Sequence, residues 1–389
     1  MEEKETGNNN LKMFFCSILL CACLAIARTV IDSNFKIELK ISAPLLLVIA
    51  FGLFLIEMII HELGHCIVFA IHGINIKAVL FFLFAFINED GRWKIKLCSW
   101  KQFFMGGMVV PQLPNIKSEE EYQKVRMIYA RELLGGPIAT IFFTIVGAAI
   151  CFIIGRMEKS IKTECMLLAG LTLVFGIAIL ISTMKKSTSD LGDWKAYQLM
   201  KEDSLWSNNI IVNDETVQKP GIPAAQNSYA AARADRFLQS ANLDITMIQF
   251  MTYILNKALA VEQYNLTVSQ EKLLDSIQRN NGWMEHLEQE EYEIFGYRLV
   301  QYIMVCQKNY VHALELYKCI LEKVRYKRAY YEYYTFQCEQ ALGIENHKDY
   351  LYDPRRIKTS SDWKIWSVLK EYYQEEEKIN SRLCSGEVL

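Results

Sequence analysis

The strongest constraint on this chain is the run Ile59-Ile60-His61-Glu62-Leu63-Gly64-His65-Cys66, a His-Glu-x-x-His pattern inside an apolar stretch from Ala43 to Ile71. An α-helix turns once every ~3.6 residues, so His61 and His65 fall one turn apart on one face, where both imidazoles can reach a single metal ion. Zinc accepts neutral imidazole, takes a third protein ligand in hydrolytic sites and leaves a fourth position for a water whose pKa falls towards ~7. Glu62 is then placed to act as the base on such a water, the chemistry of metal-assisted peptide hydrolysis. Ionisable side chains are costly inside a bilayer and are by default functional there. Here three occur together, with Glu57 one turn earlier and in reach of a ring N–H of His61.

The chain has 389 residues, 52% of them hydrophobic, and a mean hydropathy of +0.09. That average joins two unlike halves: apolar runs end near Met184, and a mixed charged and aromatic sequence follows. A net charge of −2, with no stripe of Lys and Arg, argues against nucleic acid as a partner. The 11 cysteines are scattered and odd in number, with no Cys-x-x-Cys pair, which reads as buried or reduced thiols rather than a disulfide framework.

Along the chain, Met13 to Ile31 reads as a first transmembrane helix retained in the protein, with a signal peptide as the competing reading. Ala43 to Ile71 is the second span, longer than the roughly 20 residues needed to cross hydrocarbon. Val79 to Phe86, a turn at Asn88-Glu89-Asp90-Gly91 and the alternating Arg92 to Cys98 predict a β-hairpin with one apolar face. It either pairs with an extended substrate as an added strand or packs on the helices. Pro111 and Pro114 mark a loop, and Ser118 is the N-cap of an interfacial helix. Leu133 to Gly155 and Cys165 to Ile181 are the third and fourth spans. Lys and Arg gather on the side holding the tail, the Lys77 to Arg131 segment and everything after Lys185, which places the C-terminal half in the cytoplasm.

These features resemble the site-2 protease family of intramembrane zinc metalloproteases. The resemblance rests on His61-Glu62-Leu63-Gly64-His65 in one span, Gly135-Gly136-Pro137 at the start of another and an aspartate after a third, and it covers Ala43 to Trp194. It implies that His61, His65 and that aspartate hold Zn²⁺, with Glu62 catalytic. The aspartate motif is irregular, offering Asp190 and Asp193; Asp193 is favoured because a helix-like run follows it, leaving Asp190 as an N-cap or a supporting residue. Thr140 stands where the family commonly has an asparagine, which weakens the carry-over of that substrate-contacting role. A bacterial cell membrane is the location the resemblance implies.

Residues 201–223 read as a linker with Pro220-Gly221-Ile222-Pro223 punctuation, and residues 224–389 as a soluble helical domain. Tyr310 to Val324 shows helical spacing, and a second helix from Arg328 to Leu342 ends at Gly343, a pairing that resembles a tetratricopeptide-like repeat. His286, His312 and His347 stand isolated, with nothing suggesting a second metal.

The expectation is thus an α-helical polytopic membrane protein of about four transmembrane helices with a β-hairpin insertion, followed by an all-α domain. Residues 1–200 form the membrane-embedded protease, which hydrolyses peptide bonds of a membrane-spanning or membrane-associated protein or peptide, and the helical domain binds a protein or peptide partner. The alternative is a catalytically silent membrane scaffold or receptor that binds through its helical domain.

Overall fold

The computed structural model describes residues 42–89, 91–98, 107–184, 191–218, 229–238, 243–324, 330–360 and 369–385. The expected first span, Met13 to Ile31, and Asp190 lie outside these residues. The stretch with the His-Glu-x-x-His motif is one helix, α1, Ala43–Ile71, opened by Pro44 in the first turn, where a missing N–H costs nothing. Among the described residues, three helices are long and apolar enough to cross a membrane.

The expected hairpin is part of a four-stranded antiparallel sheet of β1 (Asn75–Phe81), β2 (Phe84–Glu89), β3 (Arg92–Leu97) and β4 (Gly107–Gln112), in the order β3-β2-β1-β4. Val79 to Phe86 is not one strand. It folds back at Phe82-Leu83, where Phe82 takes a left-handed φ of 50°. Two-residue hairpin turns usually advertise themselves by Gly or Asn; here the Phe82 ring packs against Phe54 of α1, 6.4 Å between centroids, which holds the turn. The predicted turn at Asn88 is present, with Gly91 at φ 80° donating its N–H to Asn88 Oδ1 at 2.9 Å. Pro111, expected in a loop, is inside β4, which tolerates it because β4 is an edge strand and the pairing with β1 shifts register beside it.

Ser118 caps the next helix as predicted, accepting the Glu121 N–H at 3.3 Å. That helix, α2, runs unbroken for 39 residues, Glu119–Met157, so the interfacial helix and the third span are a single rod. At ~1.5 Å per residue it is about 58 Å long, well beyond a ~30 Å hydrocarbon core. Pro137 does not break it, as apolar surroundings and packed neighbours keep such helices continuous. Its far end carries exposed Ile138, Phe142, Ile145 and Ile153, whereas Tyr122, Val125 and Tyr129 at its near end are buried. Helix α3, Lys162–Ser182, returns through the same layer and matches the fourth expected span. Gly64 and Gly135 let α1 and α2 cross backbone on backbone, since a Cβ added to Gly64 would lie 2.3 Å from the Gly135 carbonyl oxygen.

Helix α4, Asp193–Lys201, starts tight against the end of α3, where Trp194 donates its N–H to the Thr183 carbonyl at 3.1 Å. The stretch read as a linker contains helix α5, Leu205–Gln218, with Ile211 and Val212 fully buried. Helices α6 (Tyr229–Leu238), α7 (Ile245–Ala260), α8 (Val268–Arg279), α9 (Glu290–Val305), α10 (Tyr310–Lys323) and α11 (Tyr331–Leu342) follow. Two short helical turns lead to α12, Lys370–Cys384. Gly343 ends α11 in the left-handed conformation, φ 68°.

One hydrophobic core runs from Phe69 of α1 and the near end of α2 through Met200, Ile211 and α7 to α9, α11 and α12. Polar bonds reinforce that continuity. Arg126 of α2 donates to the carbonyls of Met200 and Lys201 at 2.7 and 2.6 Å, and Arg233 of α6 pairs with Glu119 at 2.9 Å and with Asp203. At the other end of the chain, Leu369 is buried among Ala78, Leu80, Ala85, Ile87 and Val110 of the sheet, and Glu371 pairs with Lys77 at 2.6 Å.

Candidate metal centre

Three elements bring the predicted residues together. His61 and His65 project from α1 one turn apart, and Asp193, first residue of α4, reaches them from the end of α3. Asp193 Oδ2 lies 3.1 Å from His61 Nε2 and 3.8 Å from His65 Nε2, and the two Nε2 atoms are 3.3 Å apart. One ligand atom from each residue fits within 4.8 Å of the others, so His61, His65 and Asp193 could hold a metal ion together. Both histidines are buried, and Glu62, also buried, faces the start of β4.

The outer nitrogens decide whether the set suits a metal. His65 Nδ1 sits 2.9 Å from the Glu132 carbonyl oxygen and 3.0 Å from Glu132 Oε1, both acceptors, so Nδ1 carries the hydrogen and Nε2 keeps its lone pair. His61 Nδ1 lies 2.9 Å from Thr140 Oγ1, whose oxygen accepts from it in the matching tautomer. Two lone-pair nitrogens and a carboxylate oxygen facing one point repel one another unless a cation joins them. Gly136 supplies the room: a Cβ there would lie 2.3 Å from His65 Nε2 and 2.7 Å from His61 Nε2. The donor set is thus one that zinc accepts.

Glu57 does not hold His61. It is fully buried, and neither of its carboxylate oxygens has a hydrogen-bond partner; Thr140 has the position next to the ring instead, because α2 crosses α1 at this level. Thr140 is thus beside a candidate ligand. Glu132 was not foreseen, although a carboxylate immediately before the apolar run from Leu133 was a signal open to the reading. Gly107 carried no signal. As first residue of β4 it abuts Glu62, with an added Cβ only 2.2 Å from the carboxylate carbon, so an edge of the sheet ends at that carboxylate.

Beyond the centre, Tyr129 of α2 donates its hydroxyl to Asp214 of α5. Desolvation pushes the Asp214 carboxyl up to about 7, the Tyr129 hydrogen bond opposing and nearby Glu132 adding to the rise. A second group, Glu339, Glu345 and His347, lies on the helical half. There His347 Nε2 lies 2.7 Å from a Glu339 carboxylate oxygen and its buried ring stacks on Phe336 at 3.9 Å, contacts that account for the imidazole.

Comparison with curated proteins and with solved structures gave no match. The family model of peptidase family M50 matches residues 48–332, which includes most of α1, the sheet, α2, α3, Asp193 and much of the helical half. With three long apolar helices around a His-His-Asp cluster, the chain belongs to peptidase family M50, the site-2 protease family of intramembrane metallopeptidases.

Proposed function

We propose that the protein is a zinc metalloprotease that hydrolyses peptide bonds in a membrane-spanning or membrane-associated protein or peptide. The observation that carries this reading is the convergence of His61 Nε2, His65 Nε2 and Asp193 Oδ2 beside Glu62 within a long apolar helix. His61, His65 and Asp193 would hold the ion. When bound, zinc supplies Lewis acidity that polarises the scissile carbonyl and makes water a stronger acid.

The remaining work falls to the chain. Glu62 takes a proton from the attacking water and hands it to the departing amine. Glu132 and Thr140 fix the ring orientations of His65 and His61 through their Nδ1 atoms. β4, the edge strand that starts against Glu62, offers unpaired backbone groups to an unwound substrate segment, which adds as a strand and brings a peptide bond to the carboxylate. The exposed apolar flanks of α1, α2 and α3 keep bulk water away. The Lys and Arg distribution supports a helical half in the cytoplasm, where it binds a protein or peptide partner, and the family resemblance implies a bacterial membrane.

The test is zinc content and cleavage in detergent-solubilised protein. About one zinc per chain is expected, lost in Asp193→Ala and kept in Asp190→Ala, with cleavage of a membrane-embedded peptide abolished in Glu62→Ala. A wild type without zinc or cleavage after reconstitution would instead favour a silent scaffold.

A further inference from the structure

Among the described residues, two polar side chains deep in the membrane-spanning bundle have no hydrogen-bond partner. Glu57 is 0% exposed with both carboxylate oxygens unbonded, and Thr144 Oγ1, on a residue 5% exposed, is likewise unbonded. Such groups are rare, and each calls for a cause, most often a bound water or ion. They belong to one layer. Gly64 against Gly135 and His61 against Thr140 set an antiparallel register between α1 and α2, and one further turn along it puts Glu57 opposite Thr144. Helix α3 closes the third side with Gly176, where a Cβ would lie 2.0 Å from Thr144 Oγ1.

We propose that Glu57 and Thr144 hold an internal water one turn deeper in the bundle than the metal centre, and that this site refills the metal centre after each cleavage. The second half of the proposal rests on the proteolytic reading above. A proton on Glu57 would pair at most two of the three unbonded oxygens, leaving the third without a partner. A desolvated cation needs more oxygen ligands than one carboxylate and one hydroxyl supply. Water fits, as buried waters make about three hydrogen bonds and three oxygens are free here. Away from the centre, the layer is capped by Leu46, Ala50, Leu171 and Phe175, with Phe54 edge-on to Phe175 at 5.7 Å. Towards it the same register continues to Thr140 beside His61, and exchange is placed on that side. Each cleavage consumes one water: its oxygen bonds to the acyl carbon, the C–N bond breaks, and its hydrogens pass to the amine and the new carboxyl group.

X-ray hydroxyl-radical footprinting of the full-length protein reads the water directly, since radicals formed from bound water label adjacent side chains. Phe54 should be labelled in wild type and protected in Glu57→Leu/Thr144→Val. The same double variant should keep its zinc and its KM but lose roughly tenfold or more in kcat, and Glu57→Gln, which can still bind water, should retain most of the rate. Absent labelling in wild type, a wild-type kcat in the double variant, or loss of zinc from it would each overturn the proposal. A wild type that cleaves nothing would refute the refilling role and the proteolytic reading together, whereas the labelling requires neither metal nor substrate and decides the water site independently.

Discussion

The two halves of this protein both bury charge, and they do so for different ends. In the membrane-spanning bundle the apolar residues face outward, with Val48, Phe142, Ile145 and Ile177 all more than half exposed, while His61, Glu62, His65, Glu132 and Thr140 are inside. In the helical half the arrangement is the ordinary one, and the buried cation of α9 is paired through both terminal nitrogens, its Nε alone lacking a bond. Arg298 of α9, 0% exposed, donates to Gln301 at 2.9 Å and Gln337 at 3.1 Å and pairs with Glu376 of α12. Gln337 in turn binds Asn380 at 2.6 Å, so this network ties α9, α11 and α12 together. The difference teaches how to read a buried polar group: where its partners are protein groups it fastens helices, and where its lone pairs face a gap it awaits a ligand or a reactant.

That contrast can be broken by mutation. Glu62→Ala should lower cleavage by about 10²–10⁴-fold with zinc content and melting temperature unchanged, whereas His65→Ala should lose zinc and cleavage together; retained cleavage in Glu62→Ala would put the bundle's buried charge on the structural side. Next in size, Arg298→Ala should destabilise the helical half by about 3–5 kcal/mol, since Glu376 is left as an uncompensated charge. A denaturant melt that stayed put would show the network to be dispensable. Smaller again, Glu132→Ala or Thr140→Ala should weaken metal affinity by roughly 10–100-fold, measured by competition with a chelator, without unfolding the chain.

A separate, pH-dependent effect belongs to Asp214, which stands between the halves. Its unfolded carboxyl gives up its proton near ~4, and the folded one near 7. The folded state therefore holds the extra proton in between, and stability falls as pH rises across that window and is flat outside it. Asp214→Asn, which mimics the protonated form, should remove this slope in a melting-temperature series from pH 4 to 8, and an unchanged slope would assign it elsewhere.

How much of this was legible in the sequence depends on the range of the cause. His61, Glu62 and His65 were readable because one helix turn sets their geometry, and Ser118 and Gly343 because caps are local. Asp193 could be placed only to within a choice of two aspartates; the contact of Trp194 with Thr183 that sets its position is made across a chain turn. The division of Val79 to Phe86 into two strands was hidden because an aromatic contact with Phe54 replaces the usual turn residue. β4 was missed because Pro111 reads as a strand breaker unless the strand is known to lie at an edge. Helix α5 was hidden behind buried Asn208 and Asn209, whose polarity suggests solvent although Asn208 bonds the Ala230 carbonyl at 2.9 Å.

Leu369 packs on the face of the sheet whose edge reaches Glu62, yet it lies about three quarters of the chain away from Ala78 in sequence. During synthesis the helices with His61, His65 and Asp193 leave the ribosome long before it does. The strand proposed to meet substrate therefore gains this core contact well after those helices have been made. On the proteolytic reading proposed above, a nascent copy would fill its metal site early and still lack a firm edge on which to draw out a peptide, a timing that would guard neighbouring proteins from premature cleavage.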